Sequence, residues 1–132
     1  MQNFKVLLID DSKFIHKSFG QFTKELDNFE LHGITEGLDT IKTASEFKPD
    51  LIFLDYILEN TDGLTVLKEL KSHPELKQIP ILMISSKDNH YDQQLAILHG
   101  ADQFLQKPLL GDLIREKIRF YQNHIVKEKT SA

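Results

Sequence analysis

The sequence has no cysteine, which excludes disulfides, thiol catalysis and thiolate metal sites. It has no apolar run longer than four residues, so no segment reads as a membrane span, and no signal-peptide pattern is expected at its start. A strong charge of either sign is also missing. With 16 Lys+Arg against 20 Asp+Glu the formal net charge is −4, which supplies no global basic field for nucleic acid. No internal repeat or low-complexity tract interrupts the 132 residues. What is present is ordinary for a globular chain: 40% hydrophobic and 27% charged residues, at a length that suits one domain with its own core. The expectation is a single soluble domain in the cytoplasm.

Four short apolar bursts organise the chain: Val6-Leu7-Leu8-Ile9, Leu51-Ile52-Phe53-Leu54, Ile81-Leu82-Met83-Ile84 and the weaker Phe104-Leu105. The first three are continuous rather than alternating, as strands are when both faces are covered. Residues 29–34 alternate less cleanly and read as a strand nearer an edge. Between the bursts the period becomes helical. The stripes are Ile15, Ser18/Phe19, Phe22 and Leu26; then Leu38, Ile41, Ala44 and Phe47; then Leu64, Leu67 and Leu70. A fourth has Leu95, Ile97 and Leu98, and the longest runs through Leu110, Leu113, Ile114, Ile118, Tyr121 and Ile125. Lys48-Pro49-Asp50 ends the second helix, Thr61-Asp62-Gly63 opens the third, and His73-Pro74 closes it. Five β-α units in succession predict an α/β domain with a parallel sheet and helices on both faces. The domain is expected over residues 1–122, with 123–132 a polar C-terminal tail or linker where the last helix frays.

In an open parallel sheet, ligands bind beyond the carboxyl ends of the strands, near the point where strand order reverses. Asp10 and Asp11 follow the first strand, Asp55 ends the third, Ser85-Ser86 follow the fourth and Lys107-Pro108 the fifth. Taken singly, each has a plain structural use. Asp10-Asp11-Ser12 can cap a helix, Asp55 can end a turn, Ser85-Ser86 can be loop, and Lys107 is steered by the proline after it. Their coincidence on one rim is what points to chemistry. Clustered carboxylates repel by about 1 kcal/mol per pair in water and several-fold more near protein, so the group is expected to take up a cation. Oxygen-only ligands favour a hard ion, here Mg²⁺, which prefers one or two carboxylates together with waters and phosphate oxygens.

These segments, with Lys48-Pro49-Asp50 before the third strand, Asp62-Gly63-Leu64 after it and Gly100-Ala101-Asp102 before the fifth, resemble the receiver domain of two-component response regulators, of the chemotaxis-receiver type. The likeness covers about Asn3 to Tyr121, with gaps of 44 from Asp11 to Asp55, 30 from Asp55 to Ser85 and 22 from Ser85 to Lys107. The resemblance implies a flavodoxin-like (βα)5 three-layer sandwich with strand order 2-1-3-4-5. It implies that Asp55 takes a phosphoryl group from the phosphohistidine of a sensor histidine kinase or phosphotransfer protein. Asp10 and Asp11 would hold Mg²⁺ together with Asp55 and the backbone carbonyl of Ile57. Ser85 and Lys107 would meet the phosphoryl oxygens, and Phe104 would be the aromatic switch. The implied protein is a signalling phosphoacceptor that catalyses only its own phosphorylation and dephosphorylation. Its expected partners are the kinase and a downstream protein or an output domain outside this sequence, with a phosphorylation-dependent dimer among its forms. Direct contact with nucleic acid or membrane is not expected.

Elementary chemistry is consistent with those roles: a carboxylate can form an acyl phosphate, and the transfer is mostly alignment and charge neutralisation. Leu58-Glu59 stand where the family often has Met-Pro, so that loop is expected to be less rigid. Ile57 and Lys87 occupy the variable positions flanking the site, and apolar Ile57 is expected to favour a long-lived phosphoaspartate. His16, His32, His73, His90, His99 and His124 lack metal-ligand spacing and read as surface residues. Phe14 lies off the first helical stripe and reads either as core lining or as a cover for the site. Arg115, Lys117 and Arg119 read as a solvated helix face. Three other classes fit less well. A haloacid-dehalogenase-type phosphatase wants a second aspartate where Ile57 stands, an FMN carrier would not place Asp10-Asp11 at its phosphate loop, and an inactive pseudo-receiver would not retain every functional group.

Overall fold

Successive residues of the central strands point alternately into two separate cores, and that alternation explains the unbroken apolar quartets. The computed structural model describes residues 2–87 and 89–131, with side chains described through Ile125. In chain order the elements are β1 (Phe4–Ile9), α1 (Lys13–Thr23), β2 (Phe29–Ile34), α2 (Thr40–Phe47), β3 (Leu51–Asp55), α3 (Gly63–Ser72), β4 (Ile81–Ser85), α4 (His90–Leu98), β5 (Gln103–Gln106) and α5 (Gly111–Ser131). A 3-10 turn at Gly37–Asp39 precedes α2. All strand pairings are parallel, in the order β2-β1-β3-β4-β5. This is the flavodoxin-like order that the resemblance implied.

Leu7, Ile9, Ile52, Leu54, Ile81 and Met83 form one core with Ala44 of α2, Val66, Leu67 and Leu70 of α3 and Ala96 of α4. Val6, Leu8, Leu51, Phe53, Leu82 and Ile84 form the other, against Phe19 of α1 and Ile114 and Ile118 of α5. Two helices therefore cover one face of the sheet and three the other. Each fully buried aliphatic side chain stabilises the fold by about 1.5–3 kcal/mol, so these strands have no polar face to spare. On edge strand β2 burial is only partial, which accounts for its weaker pattern.

The helix starts are set by side-chain caps. Ser12 Oγ accepts from Ile15 N, Asp62 Oδ1 from Thr65 N at 2.7 Å, and Asn89 Oδ1 from Tyr91 N at 2.9 Å. Each gives a side-chain acceptor to a backbone N–H of the first helical turn. At the other end of α2, Lys48 takes a left-handed conformation (φ 54°) directly before Pro49, where the helix has to stop.

Several stripe assignments differ in the structure. Of the apolar run Leu95-Ala96-Ile97-Leu98, α4 buries Ala96, while Leu98 is 77% exposed. Four apolar residues in a row carry no phase information, and the small alanine is the one that allows close approach to the sheet. Leu38 lies in the 3-10 turn and Leu110 ahead of α5, and both are exposed. Leu26 follows the end of α1 yet still packs against the Phe19 core. The backbone of α5 stays helical through Ser131 instead of fraying from Asn123, while the side chains of the polar stretch 126–132 lie outside the described residues. Among the described residues no helix is long and apolar enough to cross a membrane.

Candidate functional site

The sheet order places the carboxyl ends of β1 and β3 side by side, flanked by β4 and then β5. Asp10 follows the last residue of β1, Asp55 is the last of β3, Ser85 the last of β4, and Lys107 comes next after β5. Asp55 is in register with Ile84, so Ser85 stands one residue further along the neighbouring strand. Four strand ends thus bring together residues far apart in sequence. Asp10, Asp55 and Ser85 are all buried, at 0%, 5% and 1% exposure.

Lys107 reaches across this rim. Its Nζ donates to Asp10 Oδ2 at 2.9 Å and to Asp55 Oδ2 at 3.2 Å, so one ammonium is shared by two buried carboxylates. The opposite oxygens are held by the backbone: Ser12 N donates to Asp10 Oδ1 at 2.8 Å and Ile57 N to Asp55 Oδ1 at 3.2 Å. Asp11 is the third acidic member, and carboxylate oxygens of Asp10, Asp11 and Asp55 lie within 4.8 Å of one another. Lys107 neutralises one of these three charges. Two remain, a donor set of hard oxygens that fits a divalent cation.

Electrostatics follow from that crowding. Burial, and then the neighbouring Asp10 charge, push the Asp55 carboxyl up to about 6; Lys107 and the Ile57 N–H pull the other way without cancelling the rise. For Lys107, burial lowers its pKa but the two carboxylates more than offset this, so the ammonium is held charged. Ser85 Oγ accepts from Lys87 N at 3.1 Å, which leaves its hydroxyl proton to donate elsewhere. The Lys107–Pro108 peptide is cis, and Lys107 N donates to Ser85 O at 2.7 Å.

The remaining residues singled out in the sequence separate into two groups. Ile57 sits at the rim, 45% exposed, and Phe104 is half-buried with its ring edge-on to Tyr56 at 5.7 Å. The loop after Asp55 has other anchors in place of a proline, because Ile57 bridges Asp62 and Leu58 is buried in the core. Phe14 is 73% exposed at the mouth of an apolar cavity of about 170 Å³ between α1 and α5, so it lines no core. Sequence reasoning missed two residues. His16, read as a surface residue, is half-buried and donates to the Asp10 backbone carbonyl at 2.7 Å. Tyr56, which no motif singled out, donates to Asp92 Oδ1 of α4 at 3.1 Å.

Comparison with known proteins agrees with the geometry. A family model described as the response regulator receiver domain matches residues 6–119. The alkaline phosphatase synthesis transcriptional regulatory protein PhoP of Bacillus subtilis (strain 168) is 35% identical over 117 residues, 89% of this chain and 48% of PhoP. The chain therefore spans about half the length of that relative. The Mn(2+)-bound form of response regulator Rcp1 superposes with a TM-score of 0.74 at 29% identity, covering 85% of this chain and 87% of that one. The Vibrio cholerae chemotaxis protein CheY4 shares the fold at a TM-score of 0.82 and 21% identity, covering 92% and 99% of the two chains.

Proposed function

The chain belongs to the response regulator receiver domain family, and on that premise we propose that Asp55 is its phosphoacceptor. The donor is the phosphohistidine of a sensor histidine kinase or phosphotransfer protein. Asp10, Asp11 and Asp55, with the backbone carbonyl of Ile57, hold Mg²⁺ beside it. The observation that carries this reading is the single ammonium of Lys107 bridging two buried carboxylates within a cluster of three. A divalent ion in the corresponding relative Rcp1 supports the choice of cation.

Each residue then has a definite task. An Asp55 oxygen forms a bond to phosphorus as the bond from phosphorus to the donor imidazole breaks, and the imidazole keeps the electron pair. Bound Mg²⁺ supplies charge neutralisation for the phosphoryl oxygens and keeps the Asp55 carboxyl ionised. Lys107 turns from the Asp55 carboxylate to a phosphoryl oxygen, exchanging one anionic partner for another. The Ser85 hydroxyl donates to a second oxygen, which draws the end of β4 inward and vacates space for Phe104. The two conformations differ by a few kcal/mol, the scale that one set of phosphoryl contacts can shift.

The domain function is held in residues 1–122, and 123–132 form the tail or linker. Readout passes through α4, β5 and α5 to a downstream protein or an output domain, in the cytoplasm. A haloacid-dehalogenase-type phosphatase is not supported, because Ile57 stands where its second aspartate belongs. The test is incubation with Mg²⁺ and acetyl phosphate, read by intact mass. One phosphoryl adduct, absent in Asp55→Ala, is expected; repeated turnover of the donor without an adduct would overturn the assignment.

A further inference from the structure

Asp10 is tied at every polar atom it has. Its N donates to Ile34 O at 3.2 Å, Oδ1 accepts from Ser12 N, Oδ2 accepts from Lys107 Nζ, and its carbonyl accepts from His16 Nε2 at 2.7 Å. Three of these ties come from backbone or from a residue already placed in the site. The fourth comes from a side chain one turn into α1 that nothing so far gives a role. Because a carbonyl oxygen can only accept, Nε2 must bear the proton, so His16 acts here as a donor of fixed direction.

The room for that ring is provided by a glycine on a different element. A Cβ at Gly33 of β2 would come within 2.2 Å of His16 Nδ1 and 2.7 Å of its Cε1. Any side chain at position 33 would push the imidazole off its place over the strand. Gly33 is paired with Leu8, two residues before Asp10, so the edge strand, the helix and the end of β1 meet at this one contact.

We infer that His16 is a positioning residue for the metal centre, holding the Asp10 peptide so that its carboxylate faces Asp11 and Asp55, with Gly33 as the space it requires. The inference rests on the proposed cation site and adds a residue to it. Partners beyond the ligands themselves typically change metal affinity by about 10–100-fold when removed. His16 acts on the carbonyl and not on the ligating oxygens, so the low end of that range, about tenfold, is expected.

Calorimetric Mg²⁺ titration of the full chain, with thermal melts of the metal-free protein alongside, tests this. His16→Leu fills the same space but cannot donate, whereas His16→Gln can. The expected result is Mg²⁺ binding about tenfold weaker in His16→Leu and in Gly33→Ala, with His16→Gln restored to within about threefold of wild type. Amide exchange at Ser12, whose N–H is bonded to Asp10 Oδ1, should quicken in the Leu variant and recover in the Gln variant. Equal Mg²⁺ affinity in the Leu and Gln variants, whatever their melting points, would overturn the proposal while leaving the metal centre standing. A wild-type protein with no saturable Mg²⁺ binding would overturn the centre itself and the role of His16 with it.

Discussion

Tyr56 donates its phenol hydrogen to Asp92 Oδ1 over 3.1 Å, and so ties the residue after Asp55 to the first turn of α4. The same ring stands edge-on to Phe104 on β5. Burial, followed by the Asp92 bond and charge, pushes the phenol up to about 12, so the donor keeps its proton throughout the physiological range. Ala96 is the buried residue of α4, and this polar tie adds to its packing at the helix's first turn. The loop that carries Asp55 and the start of α4 are thus joined by a side-chain hydrogen bond.

Removing that bond should loosen α4 ahead of the rest of the domain. Tyr56→Phe keeps the ring contact with Phe104 and deletes only the hydroxyl, at a cost of about 1 kcal/mol. Amide exchange within α4 is expected to quicken while β1 and β3 stay protected. Uniform exchange across all the helices would show that the tie has no local role.

Asp55 should make the metal-free protein less stable at neutral pH. Its carboxyl is raised from 3.8 unfolded to about 6 folded, so the folded state binds the proton more tightly. Stability therefore falls as pH rises from about 4 to 6, and the full penalty, about 1–3 kcal/mol, is present above that window. Asp55→Asn is expected to be more stable than wild type by this amount at pH 7.5, with the gain shrinking towards pH 4. Urea melts without divalent ions at several pH values provide the check, and a gain independent of pH would refute it.

Lys107 and a divalent cation should partly substitute for one another. Lys107→Met leaves the buried carboxylates without their shared ammonium, a loss of about 1–3 kcal/mol for a half-buried ion pair. Saturating Mg²⁺ is expected to recover a larger part of stability in this variant than in wild type. Thermal midpoints measured with chelator and with Mg²⁺ decide it; an identical Mg²⁺ response in both proteins would count against the shared site.

Ile57 should set the lifetime of the phosphorylated state. Its apolar side chain stands at the rim and offers no hydrogen bond to an attacking water. Ile57→Asn is expected to speed phosphate loss by about three- to tenfold, well short of the hundredfold or more that a positioned acid or base provides. Following the phosphorylated species by intact mass over time reads the rate directly, and no change would remove the idea.

Much of this protein is legible in its sequence without any tertiary contact. The quartets 6–9, 51–54 and 81–84 read as strands covered on both faces, being short, unbroken apolar runs set between helical stripes. Punctuation such as Asp62-Gly63 and Lys48-Pro49 marks the helix ends at which a side-chain cap and a left-handed residue stand. The acidic pair, Asp55, Ser85 and Lys107 each stand at or just past the carboxyl end of a strand, so a parallel sheet brings them to one rim. These are local properties, and periodicity and turn chemistry suffice to read them.

The tertiary structure decided what local patterns cannot encode. The phase of α4 depended on which of four adjacent apolar residues could approach the sheet, and packing selected the smallest. Lys107 and Asp10 are 97 residues apart, and only the order β2-β1-β3-β4-β5 puts that ammonium against two carboxylates at once. The partnerships of His16 with Asp10 and of Tyr56 with Asp92 likewise join different elements at angles and distances no spacing rule contains. Composition and period tell which residues must be buried or must end a strand; who faces whom is set by how whole elements pack against each other.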